Sequence, residues 1–199
     1  MTTEKDKSTE EKIKEAARIV FMKKGYSATR TRDIAEEAGL NLALLNYYFR
    51  SKEKLFQQIM MEKVQMMFSV LFPIANNPET SLEEKITLLV ENYITLLTKN
   101  PDLPLFVLSE IRNNPDHFQS KLGINLLKDS SLIKQLLEKR PDINPIQFLI
   151  SLLGMTIFPF VASPLLQAAN LVTENDFGDM MEQRRKLIPM WINSILDCR

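Results

Sequence analysis

Between Thr31 and Tyr48 the chain reads TRDIAEEAGLNLALLNYY, and that stretch admits few local folds. Two short runs of helix formers are separated by one break, so two helices must cross around a tight turn. A close crossing needs a small side chain, which Ala35 supplies. The turn needs a residue that tolerates positive φ, and Gly39 follows one helical turn later. Ile34, Ala38, Leu40 and Leu45, with Tyr48 or Phe49, then fall where they pin both helices onto a preceding one. Each feature alone is common. Their joint spacing predicts a helix-turn-helix, against the alternative of a structural helical hairpin.

The rest of the chain carries helix punctuation too. Ser8 with Glu11 reads as a capping box ahead of the stripe Ile13, Ala16, Ala17, Val20 and Phe21, which Gly25 should stop. The second helix is expected over about 31–38, and the third from the N-cap Asn41 to about Tyr48. Ser51 caps a fourth, reaching about Leu71 before Pro73. Ser81 with Glu84 opens a helix to about Lys99, and Asn100-Pro101 opens one to about Arg112. Pro115–Arg140 reads as helix, broken near Gly123 or Asp129. Asn144-Pro145 opens another. A last helix, Asp176 to Asp197, carries Met180, Met181, Leu187, Ile188, Trp191, Ile192 and Ile195, with a kink expected at Pro189. Five glycines in 199 residues fit helices better than strands. The expected fold is all-α, with a helix-turn-helix domain over 1–52 and a larger helical domain over 53–199. The boundary sits at the fourth helix because that helix serves both parts.

Net charge is zero, but it is unevenly placed: residues 1–60 hold twelve Lys/Arg against nine Asp/Glu, leaving an opposite excess in the remainder. The positive end is therefore the one with the helix-turn-helix. Cys198 is the single cysteine and MTTEKDKSTEEK lacks an apolar leader core, so a reducing cytoplasm is expected. No charge occurs between Asp142 and Glu174, and FLISLLGMTIFPFVASPLL is long enough to span a bilayer. Pro159 and Pro164 interrupt it, Ser151, Thr156 and Ser163 dilute it, and basic flanks are missing. It reads instead as a helix buried by its own core and by a partner. His117, the only histidine, is expected on the surface of the NNPDHF turn. It rules out a histidine metal cluster, and no nucleophile–base pair or phosphate loop appears. Neither an enzyme nor a cofactor is expected.

In a helix-turn-helix the N-terminal residues of the third helix lie nearest the base edges, here Asn41, Leu42, Ala43, Leu44 and Asn46. Asn46 suits a bidentate contact to adenine; Leu42, Ala43 and Leu44 offer only apolar contacts such as thymine methyls, with internal packing the alternative for Leu44. Phosphates would be met by Thr31 at a helix start and by its neighbours Arg30 and Arg32, the latter also within reach of a base. Asn41, Tyr47, Tyr48 and Lys52 complete the phosphate set.

From Ile13 to Phe56 the sequence, including AARIVFMKKGYSATRTRDIAEEAGLNLALLNYYFRSKEKLF, resembles the N-terminal domain of the TetR/AcrR family of repressors. The likeness rests on Gly25-Tyr26, Thr29, Ile34-Ala35, Ala38-Gly39, the Tyr47-Tyr48-Phe49 block and Ser51-Lys52-Glu53-Lys54-Leu55. It implies base contacts from Arg32, Leu42, Ala43, Leu44 and Asn46, and phosphate contacts from Thr31, Tyr47, Tyr48 and Lys52. Asn46 stands where the family more often has tyrosine, and Leu44 where it has a small hydroxyl residue, which affects the operator sequence rather than DNA binding. The resemblance also implies a homodimer of roughly nine helices per chain on a near-palindromic operator in double-stranded DNA.

Beyond Phe56 only the helical layout agrees. By resemblance, the last two long helices, about 145–162 and 176–197, would form the dimer interface through Leu152, Met155, Pro159, Leu187, Ile188, Trp191, Ile192 and Ile195. A small apolar or amphipathic effector would occupy a cavity drawn from Met67, Phe68, Tyr93, Phe106, Phe148, Met155 and Phe158, with ordinary core packing the alternative for each. Tyr93, Asn113, His117 and Asn125 are its candidate polar contacts. Control through a protein partner without a small ligand is the other reading.

Overall fold

A computed structural model describes residues 4–116 and 129–198, with side chains described from Ser8 onward. Gly123, His117 and Asn125 lie outside the described residues. Among those described, the elements are nine helices: α1 (Glu4–Ala28), α2 (Thr31–Glu37), α3 (Leu42–Phe49), α4 (Lys52–Asn76), α5 (Leu82–Lys99), α6 (Leu103–Asn113), α7 (Ser131–Lys139), α8 (Pro145–Ala168) and α9 (Glu174–Asp197). They form two compact units, Met1–Val64 and Gln65–Arg199, and the division falls inside α4.

The first unit closes around one apolar core. Ile13, Ala17, Val20 and Phe21 of α1 are buried with Ile34 and Ala35 of α2, Leu45 and Phe49 of α3, and Leu55, Ile59 and Val64 of α4. The helical spacing of these residues is what brings three short elements onto α1. Ser8 lies within α1 and does not cap it, whereas Gly25, at the non-helical φ 71°, ψ 166°, breaks the helix where its position in the sequence predicts. A charge ladder joins α1 to α4. Lys14 reaches Glu62 at 3.0 Å and Arg18 reaches it at 2.8 Å, while both also pair with Glu11.

In the second unit α9 packs chiefly on α5, and also on α8. The cap residues set the boundaries. Ser81 accepts from the Glu84 amide, Ser130 from that of Ile133, and Asn144 from that of Ile146, each satisfying an orphan donor of a first turn. Thr173 and Asp176 form a reciprocal capping box that starts α9 two residues earlier than its apolar stripe suggests. Asn100-Pro101 does not open α6; Asp102 precedes it and Pro104 lies in its first turn, where a missing N–H is harmless. α4 runs through Pro73 to Asn76 instead of stopping before the proline.

Three cations tie the helices of this unit together. Lys85 is fully buried, and its ammonium donates to the Thr80 carbonyl (2.5 Å) and to Gln135 of α7 (2.7 Å). Burial pushes its pKa down. Arg140 donates to the carbonyls of Ile195 and Cys198 at the end of α9, where the helix dipole favours a positive charge. Arg184 of α9 donates to the Met155 carbonyl at 2.6 Å. That carbonyl needs an outside donor, because the residue four places on is Pro159, which has no N–H to return. α8 thereby keeps a proline in its interior without an orphaned backbone group.

Candidate functional site

α2 and α3 form the first candidate surface. Gly39 takes φ +64° in the turn between them, a conformation strained for any residue with a Cβ, and its Cβ direction is otherwise open. Ala35 is buried at the crossing. Asp33 fixes the start of α2: its carboxylate accepts from the Arg30 amide at 2.9 Å and pairs with Lys24 at 3.2 Å. The Arg30 amide bond, then Lys24, hold that carboxyl below its usual range. The Asn41 side chain accepts from the Leu44 amide at 2.7 Å and caps α3. Its oxygen is therefore committed to the helix, and its amide nitrogen is what remains to offer.

Leu45 and Phe49 turn one side of α3 into the core and leave the other outward. Asn41, Ala43, Asn46, Tyr47 and the following Arg50 are exposed, whereas Leu42, Leu44 and Tyr48 are half-buried. Tyr47 is 77% exposed and stands edge-on to Tyr48, with ring centres 5.3 Å apart. Arg30 and Arg32 are exposed at the start of α2, and Thr31 is half-buried. A short helix thus presents one amide, one methyl and one phenol outward, flanked by arginines.

Lys52 is placed differently from the phosphate contact expected of it. Its ammonium donates to the carbonyls of Tyr26 and Thr29, both at 2.9 Å, and lies 4.2 Å from the centre of the Tyr26 ring. Thr29 is buried, and its hydroxyl donates to the Gly25 carbonyl at 2.7 Å. Tyr26 packs on Phe56 and Phe21 at 4.5 and 6.0 Å between ring centres. Gly25, Tyr26, Thr29 and Lys52 therefore make one knot that holds the chain leaving α1 against α4. The lysine opposes the α4 dipole because carbonyls of another segment draw it in. Arg50 and Lys54 are exposed cations close by in sequence, and only burial separates such solvated cations from one turned inward like Lys52.

A second candidate site lies within the second unit. A cavity of about 490 Å³ is walled by α4, α5, α6, α7 and α8, in the size range of small-molecule sites. Met67, Phe68, Tyr93 and Phe158 of the expected set line it. Phe106, Phe148 and Met155 do not: the two phenylalanines are buried in packing elsewhere, and Met155 is half-buried. Asn113 is exposed and outside the lining. Lining residues Leu108, Ile111, Ile150, Leu153 and Phe158 are exposed, so the cavity opens between α6 and α8.

The outer surface of α8 and α9 also departs from expectation. Leu152, Pro159, Ile188 and Ile192 are buried within the single chain and are not available to a second one. α8 is apolar on nearly every side, so its sequence has no phase to mark Leu152 and Pro159 as inner, while on α9 the inner face is that of Met181, Ile188 and Ile192. Met155 and Leu187 are half-buried, and Trp191 and Ile195 are exposed. Ile146, Ile150, Leu165 and Met190 join them on the surface. α8 is long and apolar enough to cross a membrane by length and composition, yet its inner side packs into this unit.

Residues 13–59 match the sequence profile of the bacterial regulatory proteins of the tetR family. The chain is 29% identical over 133 residues to the HTH-type transcriptional regulator YttP of Bacillus subtilis, a match covering 66% of this chain and 64% of that one. The likeness thus spans under two thirds of that relative's length. Among solved structures, a TetR-family transcriptional regulator from Mesorhizobium loti superposes over 98% of both chains with TM-score 0.67 and 17% identity. FadR of Bacillus subtilis, solved in complex with stearoyl-CoA, superposes over 89% of this chain and 96% of its own with TM-score 0.56 and 18% identity. The two structures share the fold.

Proposed function

We propose, from the premise that this chain belongs to the TetR family of bacterial regulatory proteins, that it is a cytoplasmic homodimeric repressor released from a near-palindromic operator by a small apolar effector. The observation that carries the reading is the division of α3: Leu45 and Phe49 bury one side while Ala43, Asn46 and Tyr47 stand free on the other. In this reading Asn46 pairs with adenine, Ala43 meets a thymine methyl, and Arg32 reaches a base from α2. Thr31, Tyr47, Tyr48, Arg30 and Arg50 hold phosphates.

The unfilled cavity favours a small effector over a protein partner, since the protein's own side chains leave it open. Met67, Phe68, Leu71, Phe72 and Ala75 put the second half of α4 in its wall, while the first half of α4 belongs to the reading-head unit. A ligand that binds better to one setting of α4 shifts the population toward it. Two heads must enter successive major grooves, roughly 34 Å apart, so a small change in their separation lowers operator affinity.

Selection of binding sites from random duplex DNA tests the reading. The wild-type chain should enrich an inverted repeat, and Asn46→Ala should lose preference at one position of each half-site. One bidentate contact discriminates by about 1–3 kcal/mol, so the lost preference is about five- to 150-fold. An unaltered profile would remove Asn46 from the reading set, and failure to enrich any repeat would refute operator binding.

A further inference from the structure

We propose, as a refinement that rests on the effector reading above, that the cavity takes an apolar chain with one uncharged carbonyl (ester, thioester or ketone) whose oxygen accepts from the Tyr93 hydroxyl. Any ionised part of the same molecule stays outside. The argument begins from the lining. Among the described residues, Tyr93 and Thr156 are the lining residues that carry a polar side-chain group, and the lining includes no Lys, Arg, His, Asp or Glu. Thr156 is already committed, its hydroxyl donating to the Leu152 carbonyl at 2.8 Å.

The Tyr93 hydroxyl has no hydrogen-bond partner among the described residues. Tyr93 keeps part of its surface, yet it is enclosed enough that burial pushes its phenol well above the usual range. Both hold if the surface it keeps faces the cavity rather than bulk water. Its oxygen is also not among the sealed, unpartnered polar atoms of the described residues, which are Arg184 Nε and Asn193 Oδ1. A hydroxyl facing apolar walls without an acceptor is unfavourable, and a ligand oxygen would relieve it.

The charge of that oxygen follows from the same lining. Among the described lining residues an ionised carboxylate or phosphate would find no cation, so it would be neutralised or excluded. Tyr93 stays protonated through the physiological range, so it acts as a neutral donor. A neutral carbonyl accepts such a bond at no charge penalty. Size adds one bound: at roughly 30 Å³ per non-hydrogen atom, the volume suits about 15 such atoms, close to a twelve-carbon chain with its carbonyl group.

Full-length wild-type protein and Tyr93→Phe would be titrated with methyl dodecanoate, dodecanoate and pyrene, without DNA. The wild type should bind the ester, and Tyr93→Phe should bind it about tenfold more weakly. Pyrene, which lacks an acceptor, should bind both proteins equally. Dodecanoate should enter as the protonated acid, so its affinity falls about tenfold per pH unit above its own pKa while that of the ester stays level.

Equal binding of the ester to both proteins would overturn the proposal. So would parallel loss of ester and pyrene, which would make Tyr93 a wall residue, and so would dodecanoate binding as tightly as the ester near pH 8. If the wild type bound none of the three, the effector reading itself would fail, and the refinement with it.

Discussion

Lys52→Met should lower the stability of the N-terminal unit by about 2–3 kcal/mol and weaken DNA binding to the same degree at every salt concentration. The ammonium is the donor for two carbonyls, those of Tyr26 and Thr29, and rests against the Tyr26 ring. Methionine keeps an apolar stem of similar length but leaves both carbonyls unmatched. A hydrogen bond to a charged group contributes about 1.5–3 kcal/mol, and partial exposure of the lysine keeps the pair below the simple sum. The loss acts through the chain leaving α1, so it moves or melts the platform of α2 and α3 without removing a phosphate contact. A direct phosphate ligand behaves otherwise: its removal changes the slope of log K against log salt by about 0.9 and leaves folding alone. Thermal melts and binding isotherms over a salt series separate the two. A slope change with an unchanged melting temperature would restore Lys52 to the phosphate set. Arg30→Ala and Arg50→Ala, both at exposed sites, should give that slope change instead.

Which parts of this molecule could be read in advance follows from how local each signal is. The turn at Gly39 and the caps at Asn41, Ser81 and Asn144 depend on residues within one helical turn, and all four lie in the structure where their local sequence puts them. Ser8 and Asn100-Pro101 misled because a cap-like residue inside a continuing helix looks the same as one at its start. Lys52 misled because its partners lie 23 and 26 residues away. The cavity was legible only as composition. Phe68, Phe106, Phe148 and Phe158 are one residue type, and two fill the core while two line a void. For α9 the stripe was right, but its phase was too broad: Met181, Ile188 and Ile192 are core, and Trp191 and Ile195 are not.

Trp191→Glu combined with Ile195→Glu should turn the proposed homodimer into a folded monomer and weaken binding to the proposed operator by about 10²–10⁴-fold. The two residues lie one helical turn apart on α9, both exposed, with Met190 beside them, and the antiparallel α8 adds exposed Ile146 and Ile150. An apolar surface formed by the ends of two adjoining helices is a poor boundary with water and a good seam between copies. In a two-fold interface each substitution enters twice, so four carboxylates would be desolvated, and Arg184, 5.5 Å from the Trp191 ring centre, stands near only the one at 191 in each chain. Because both side chains are outside the core, helix content should persist. The DNA effect is larger than the energy of either contact, since the second head then binds from bulk solution and not from the tethered local concentration. Sedimentation of the double variant together with an operator titration gives the answer. A variant that stays dimeric would move the seam elsewhere, and a monomer with undiminished affinity would show that one head suffices for the operator.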